Sequence, residues 1–261
     1  MTTNHLILDF SHVYCDEKIP KNDKVHWLDC SDITECDLYC SKRAEEIRAR
    51  IAPYGIHGIH FLDSGNYHYV TGIMTALIKQ KFSLILLDHH TDMQKPMIEQ
   101  MTSCGDWAGK VLKTNPWLQQ LILIGPQESD ILQIYREKEG LVFDAELQEK
   151  LITFSEEEIQ SVEDENKISR IKRNLPVYIS IDKDILDEEY SETNWSQGKM
   201  SLPVLERLLM PFLKSGNILG IDICGECQQG IPLPQYLEAE QINGETNKEL
   251  FDFLMHYCRN F

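Results

Sequence analysis

Two carboxylates and a histidine follow an aliphatic run near the middle of the chain. Residues 84–87 are all Leu or Ile, and Asp88, His90 and Asp92 come directly after them at alternate positions. Such a run is typical of a strand buried on both faces in a parallel sheet. If the backbone stays extended beyond it, the three side chains project to one side. Two carboxylates beside an imidazole suit a hard or borderline divalent cation.

Two more apolar runs end in polar residues of the same kind. His68 follows the run at residues 56–62, and Asp182 and Asp184 follow the run at residues 177–181. Open α/β sheets place ligand sites at the carboxyl ends of their strands, so we expect these side chains to converge. Carboxylate-rich clusters of this size fit a pair of divalent ions better than one structural zinc. The competing interpretation, ordinary polar turns, requires three acidic strand ends by coincidence.

The chain alternates between short aliphatic runs and longer segments with helical periodicity. The runs have the length and the composition of strands. We predict strands at residues 6–9, 56–62, 84–87, 121–124, 177–181 and 218–223, with a further apolar run at residues 151–154.

The intervening segments predict helices because their apolar residues recur every three or four positions. These segments are residues 41–52, with Ser41 as the cap, and residues 69–81, 107–112, 131–137, 159–173, 203–213 and 247–257. A repeated order of strand, crossover helix and strand predicts a largely parallel sheet with helices on both faces. We therefore expect a three-layer α/β/α fold, forming one domain over residues 1–261.

The composition limits the partners of the chain. It is 42% hydrophobic, with a formal net charge of −17. That charge argues against nucleic acid and anionic membrane surfaces, which need clustered Lys and Arg, and it suits a cationic small substrate or metal ions.

There is no signal-peptide pattern and no run of membrane-spanning length. Eight scattered cysteines then favour reduced thiols in the cytoplasm, and we interpret Cys224 and Cys227, a lone C-x-x-C, as small residues near a strand end.

Three motifs, in order, resemble those of the ureohydrolase family, which includes arginase, agmatinase and formimidoylglutamase. The family pattern is G-G-D-H, then D-A-H-x-D, then S-x-D-x-D-x-x-D. The corresponding segments here are Gly65-Asn66-Tyr67-His68, Asp88-His89-His90-Thr91-Asp92, and the segment from Ser180 to Asp187. The resemblance covers about residues 5 to 260, and the ordered set is more specific than any one motif.

The resemblance implies a centre with two Mn²⁺ ions. The first ion would be bound by His68, Asp88, Asp92 and Asp182, and the second by Asp88, His90, Asp182 and Asp184. A water between the ions would become hydroxide near neutral pH and attack the sp² carbon of a guanidino, amidino or formimino compound. Asp92 would steady the tetrahedral centre and carry a proton to the leaving amine. We count His90 with it as a catalytic candidate.

The chain departs from the family at two further catalytic candidates. Cys104 stands where family members carry a proton-shuttle histidine. Arginases and agmatinases have a D-x-x-E after the last strand, whose glutamate grips the guanidinium, whereas here Glu226 falls one residue later. A one-residue shift in an extended segment turns a side chain to the opposite face, unless the backbone bulges at Gly225, and we expect the segment without a bulge. We therefore expect free arginine and agmatine to be poor substrates.

The family's glycine-rich stretch is replaced by residues 192–198, and we predict that Asn194, Trp195 and Gln197 contact a bulkier or more polar substrate. Whether the chain forms a homo-oligomer stays open.

Two other functions also stay open. One is a metal-binding or ligand-binding protein with little turnover, since losing a general acid or base typically costs about 10²–10⁴ in rate. The other is a D-H-H manganese phosphoesterase, which would leave Asp182 and Asp184 unexplained.

Overall fold

The aliphatic runs form neighbouring strands of a parallel sheet. A computed structural model describes residues 3–14, 19, 24–40, 42–98, 100–136, 145–160, 165–228 and 230–258. Its strands are β1 (His5–Asp9), β2 (Val25–Asp29), β3 (Tyr39–Cys40), β4 (Ile59–Phe61), β5 (Phe82–Leu87), β6 (Thr102–Ser103), β7 (Leu118–Ile124), β8 (Leu151–Phe154), β9 (Val177–Asp182) and β10 (Ile218–Cys224). Eight of them form a sheet in the order β2-β1-β4-β10-β9-β5-β7-β8, and every neighbouring pair is parallel. The short strands β3 and β6 pair separately and antiparallel.

Helices connect the strands and cover the sheet. They are α1 (Ala44–Ile51), α2 (Val70–Thr75), α3 (Trp107–Thr114), α4 (Glu128–Ile134), α5 (Ala145–Lys150), α6 (Glu156–Gln160), α7 (Glu165–Ser169), α8 (Leu202–Leu213) and α9 (Leu233–Tyr257). Short 3₁₀ turns at Gly65–Tyr67 and Lys183–Ile185 follow β4 and β9.

Alternation along each strand divides the core into two layers. On β5, Leu84 and Leu86 pack with the apolar faces of α1, α2 and α3, whereas Ile85 and Leu87 pack with those of α8 and α9. All six residues of β5 are buried, because helices cover the sheet on both sides. The predicted three-layer α/β/α fold with a parallel central sheet is confirmed. None of the helices in the described ranges is long and apolar enough to cross a membrane.

Two of the predicted helices have different lengths in the structure. The helix predicted at residues 69–81 ends at Thr75, whose hydroxyl bonds back to the carbonyl of Thr71 and competes with the helical pattern. The helix predicted at residues 247–257 begins instead at Leu233. Its first half lacks an apolar stripe because its buried face is polar, with Asn243 bonded to the backbone of Glu192.

Other differences lie in short or polar segments. Strand β2 was not predicted, since it lies at the sheet edge and none of its residues is fully buried. The helix predicted at residues 159–173 is replaced by α6 and α7. Residues 161–164, the cap residue Ser41 and Glu137 lie outside the described residues.

A glycine in β10 sets a packing limit that can be tested. A Cβ on Gly220 would lie 2.7 Å from Cε2 of Tyr178 and closer still to the carbonyl of Ile56. Gly220→Ala should therefore destabilise the fold by about 1–3 kcal/mol, the usual cost of overpacking. Urea denaturation measures this change. Gly72→Ala is the control, because its Cβ would lie at an ordinary 3.5 Å from Val111 and should cost little; equal effects at both sites would contradict the packing argument.

Candidate metal centre

The parallel order of β9 and β5 brings two aspartates to adjacent positions at the end of the sheet. Asp182 is the last residue of β9, and Leu87 of β5 pairs with Ile181. Asp88 follows Leu87 and still donates its backbone N–H to the carbonyl of Ile124 at 3.0 Å. The sheet itself therefore fixes Asp88 and Asp182 side by side, and both are buried.

His68 lies between three of the carboxylates. It follows the 3₁₀ turn after β4, and its Nδ1 lies 3.2 Å from Asp88 Oδ2, 3.0 Å from Asp92 Oδ2 and 3.3 Å from Asp182 Oδ2. Its other nitrogen, Nε2, is within 2.8 Å of the Ser180 hydroxyl. The hydroxyl fixes the ring from behind, so that Nδ1 faces the carboxylates, an arrangement typical of metal-binding histidines.

The backbone conformation that places Asp92 in the site differs from the predicted extended one. The extended backbone ends at Leu87, so alternation does not align Asp88, His90 and Asp92. Asp92 instead adopts a left-handed backbone with φ 49°, which is uncommon outside glycine. Its carbonyl accepts the N–H of Ala108 at the start of α3, and its Oδ2 accepts the indole N–H of Trp107 at 2.5 Å. Contacts with α3 turn this carboxylate toward His68.

His90 and Asp184 form the other side of the centre. His90 Nδ1 lies 2.8 Å from Asp184 Oδ2 and 3.6 Å from Asp88 Oδ1, and His90 Nε2 lies 2.9 Å from the Ser196 hydroxyl. The Asp184 backbone N–H donates to Asp182 Oδ1 at 3.1 Å, which holds the turn after β9.

Among the described residues, the metal-type side chains form three overlapping groups, each with ligand atoms within 4.8 Å of one another. The groups are His68 with Asp88 and Asp92, Asp88 with His90 and Asp184, and His68 with Asp182 and Cys224. The first two share Asp88. The residues of these first two groups line a cavity of about 170 Å³ at the carboxyl end of the sheet.

The donor set fits divalent cations. His68 Nδ1 and Asp88 Oδ2 are buried and lie 3.2 Å apart. Neither atom makes a hydrogen bond of acceptable geometry among the residues described. A buried polar atom without a hydrogen bond is costly, and a coordinated ion would satisfy both atoms. Carboxylates and imidazoles are ligands that Mn²⁺ accepts.

The charges of the site raise several pKa values. Burial, followed by the charge of Asp88, raises the pKa of Asp92 to about 7. Burial by itself would lower the pKa of His90, but Asp184 and Asp88 outweigh it and raise that pKa to about 12. Burial also opposes protonation of His68, but the Cys224 thiol, Asp88 and Asp92 outweigh it and raise the pKa of His68 well above its usual value. These side chains therefore hold protons that a cation must displace.

Cys104 and Trp195 lie at the cavity, and Asn194 and Gln197 are not among the residues that line it. Burial raises the pKa of the Cys104 thiol to about 12. Trp195 packs edge-on against His90 with ring centroids 5.7 Å apart. Asn194 accepts the backbone N–H of Gln228 at 2.6 Å. Gln197 bonds within its own loop, donating to the Ser191 carbonyl at 2.9 Å, so its side chain is engaged in holding that loop.

Glu226 also lies outside the residues that line the cavity. Its Oε1 forms an ion pair with Lys183 and accepts the Asn247 side-chain N–H at 2.8 Å. Lys183 also donates to Asn247 Oδ1 at 2.9 Å. We call Lys183, Glu226 and Asn247 the buried triad. It joins the turn after β9 to the end of β10 and to α9.

Sequence reasoning missed three residues that shape the site. Trp107 and Ser180 orient Asp92 and His68, and Cys224 lies beside Asp182, its thiol 3.2 Å from Oδ2. The signal for Ser180 was present, since it opens the third motif. The signal for Cys224 was the C-x-x-C, whose interpretation as small residues near a strand end overlooked this contact.

The fold and the ligands define an α/β protein with a carboxylate-rich candidate metal centre. The sequence matches the arginase family model over residues 15–225. An uncharacterized protein of Thermotoga maritima is 30% identical over 263 residues, covering 96% of this chain and 91% of that protein. The chain belongs to the arginase family. The D-H-H letters are therefore part of the family's second motif, which removes the support for a phosphoesterase.

Solved structures agree with this assignment at the level of the fold. The agmatine ureohydrolase of Thermoplasma volcanium superposes with a TM-score of 0.62 at 13% identity, covering 99% of this chain and 92% of that one. The formiminoglutamase of Trypanosoma cruzi, solved with Mn²⁺, gives a TM-score of 0.63 at 12% identity, with 98% and 94% coverage. The chain is similar to these proteins in architecture across nearly their full length.

Cation binding should release protons and strengthen as the pH rises. The raised pKa of Asp92, about 7, means that a proton competes with the cation near neutral pH and is lost as the pH rises through that value. Calorimetric titration with Mn²⁺ in buffers of different ionisation enthalpy counts the protons released. Glu206→Gln removes a carboxylate on α8 outside the site and should change nothing. Binding that is independent of pH between about 6 and 8 would contradict the prediction.

Removing the charge of Glu226 should destabilise the fold. Glu226→Gln leaves the Lys183 ammonium buried without an opposite charge, which typically costs about 3–5 kcal/mol. Chemical denaturation measures the free energy of unfolding. The matched control is Lys183→Met combined with Glu226→Leu, which removes both charges and should lose less stability than Glu226→Gln alone. A double variant that is the less stable of the two would refute the ion-pair argument.

Proposed function

We propose that the protein is a binuclear manganese-dependent hydrolase that cleaves a C–N bond of a small guanidino, amidino or formimino compound. The observation that carries this proposal is the pair of ligand groups that share Asp88 at one cavity. A shared carboxylate is what two neighbouring cations require. Membership of the arginase family supports the same reaction class.

The family pattern assigns six side chains to the two ions. One ion would be held by His68, Asp88, Asp92 and Asp182, and the other by Asp88, His90, Asp182 and Asp184. When bound, the ions lower the pKa of a water molecule toward neutrality and so supply the nucleophile. Asp88 and Asp182, which the sheet holds side by side, would each contribute a carboxylate to both positions.

Asp92 is the candidate for the proton transfer that releases the amine. Its carboxylate lines the cavity beside the other candidate ligands, where it can exchange a proton with a group bound there. The Trp107 N–H holds Oδ2 in place, and burial of the carboxylate keeps competing water away. The acid and the metal positions therefore face the same small cavity.

The cavity suits a compact cationic group. Four carboxylates lie on its wall, and Tyr39 and Trp195 are among its lining residues. The Trp195 side chain is 38% exposed, so its ring can cover a ligand from the solvent side. An aromatic face near a cation typically contributes about 0.5–2 kcal/mol. Cys104 lines the same cavity but, with a pKa of about 12, does not replace a histidine as proton shuttle at neutral pH.

A metal-binding protein with little turnover is the second candidate, and one observation favours it. The buried triad engages Glu226, so the acid that could grip a guanidinium is already paired with Lys183. Together with the thiol in place of a shuttle histidine, this arrangement weakens the case for rapid hydrolysis of arginine.

A substrate screen separates the two candidates. The Mn²⁺-loaded protein is incubated with guanidino, amidino and formimino compounds while urea, ammonia and formamide are measured. We expect release from at least one compound that is bulkier or more polar than agmatine, and poor activity on arginine and agmatine. No product with any compound would favour the second candidate. Efficient urea release from arginine that Glu226→Gln sharply weakens would show that Glu226 leaves the triad to bind substrate.

Metal content should respond differently to two neighbouring aspartates. The wild-type chain should hold two Mn²⁺, Asp182→Asn should lower occupancy at both positions, and Asp184→Asn should empty mainly one. The reason is that the family pattern places Asp182 at both positions and Asp184 at one, and of the three ligand groups Asp184 belongs only to the one with His90. Elemental analysis after removal of free metal measures this. One ion or none in the wild type would refute the binuclear assignment.

A further inference from the structure

One side chain that the family's ligand set leaves out lies against the candidate metal centre. Cys224 is the last residue of β10 and pairs in register with Asp182 on β9, so both side chains project to the same face of the sheet. Its sulfur lies 3.2 Å from Asp182 Oδ2 and is fully buried.

The thiol also belongs to one of the three groups of metal-type side chains. Cys224 Sγ, Asp182 and His68 place their ligand atoms within 4.8 Å of one another. Within the described part of the chain, His68 Nδ1 has no hydrogen bond although it is buried, and it lies 3.3 Å from Asp182 Oδ2. His68 Nδ1, an Asp182 carboxylate oxygen and the Cys224 sulfur therefore lie close enough together to bind one ion.

The backbone after Cys224 holds the sulfur in this place. Gly225 has φ 98°, and a Cβ there would lie 2.6 Å from Asp182 Oδ1. The N–H groups of Gly225 and Glu226 both donate to the Asp63 carbonyl, at 3.0 and 3.2 Å. Since glycine allows this close approach and the carbonyl fixes the turn, Cys224 cannot easily swing away from Asp182.

A purely structural role would give the thiol one task, which is to donate a hydrogen bond to Asp182. That role accounts for the 3.2 Å contact with Asp182, but not for the position of the sulfur within 4.8 Å of a ligand atom of His68 as well. A coordinated ion accounts for both. The remaining question is which ion a sulfur ligand selects.

We propose that Cys224 is a direct ligand of the cation held by His68 and Asp182, and that it makes this position prefer softer ions than its neighbour. The proposal rests on the candidate metal centre described above. The thiol would bind as thiolate, giving its proton to solvent as the cation enters. The neighbouring position, formed by Asp88, His90 and Asp184, has only oxygen and nitrogen ligands and keeps a preference for ions such as Mn²⁺.

The test uses Cd²⁺ with the full-length, metal-free protein. A thiolate ligand gives a sulfur-to-cadmium charge-transfer band in the ultraviolet, which carboxylates and imidazoles do not give. The wild-type protein should show this band, saturating at one thiolate-bound ion per chain. Cys224→Ser and Cys224→Val should abolish it. Cys104→Ser, which removes the thiol that lines the cavity, is the matched control and should keep it.

Affinities give an independent measurement. Losing a partner behind a ligand already costs about 10–100-fold in metal affinity, so loss of a direct ligand should weaken Cd²⁺ binding by at least about 100-fold. Mn²⁺ binding to Cys224→Val should weaken by less than about tenfold, because Mn²⁺ gains little from sulfur. Equal losses for both ions would show that Cys224 supports the fold rather than the soft ion, and would overturn the proposal.

The outcomes separate this proposal from the proposed function. Cadmium that binds the wild-type protein without a thiolate band overturns the role of Cys224 and leaves the metal centre intact. A band that disappears in Cys104→Ser assigns the ligand to the other thiol and also overturns it. A wild-type protein that binds neither Cd²⁺ nor Mn²⁺ refutes the metal centre itself. Because the chain has eight cysteines, the assignment to Cys224 requires a Cys224 variant, and Cys224→Ser, which keeps the size of the side chain, supplies it if Cys224→Val does not fold.

Discussion

Buried negative charge is the constraint on which this molecule depends. Asp88, Asp92, Asp182 and Asp184 are nearly inaccessible to solvent, and their carboxylates meet within one small cavity. Isolated carboxylates in such a place are far too costly to keep ionised, so protons, imidazoles or metal ions must accompany them. The parallel sheet supplies the convergence, because strands that run the same way end at the same edge. Much of the surrounding structure, from the Ser180 hydroxyl to the indole of Trp107, orients groups toward that charge.

The sequence was sufficient for most strands of the sheet and for the convergence of acidic residues at its carboxyl end, because both depend on local patterns. Aliphatic runs such as residues 84–87 identify buried parallel strands, and acids directly after them must lie at the sheet end. The orientation of Asp92 could not be predicted, since its left-handed backbone is stabilised by α3, which begins fifteen residues later in the chain. The contact of Cys224 with Asp182 could not be predicted either, because forty-two positions in the chain separate the two residues.

Helix α9 illustrates a different limit. Pattern reasoning finds helices by their apolar stripe, and the first half of α9 buries polar residues instead. Asn243 bonds to the backbone of Glu192, and Thr246 donates to the carbonyl of Tyr190. These bonds tie the helix to the loop that carries Trp195 at the cavity. The wall of the cavity therefore depends on a helix face whose residues are chosen for hydrogen bonding rather than for hydrophobicity.

The buried triad has a consequence for how the family can diverge. Lys183 lies between the two aspartates that follow β9, and its charge is compensated by Glu226 and Asn247, which are distant in sequence. A change at any one of the three positions leaves a buried polar group without its partner, so single substitutions are disfavoured. Across descendants of a common ancestor, positions 183, 226 and 247 should co-vary as one inherited unit. A lineage that returned the acid to position 225 would need to replace the lysine at the same time.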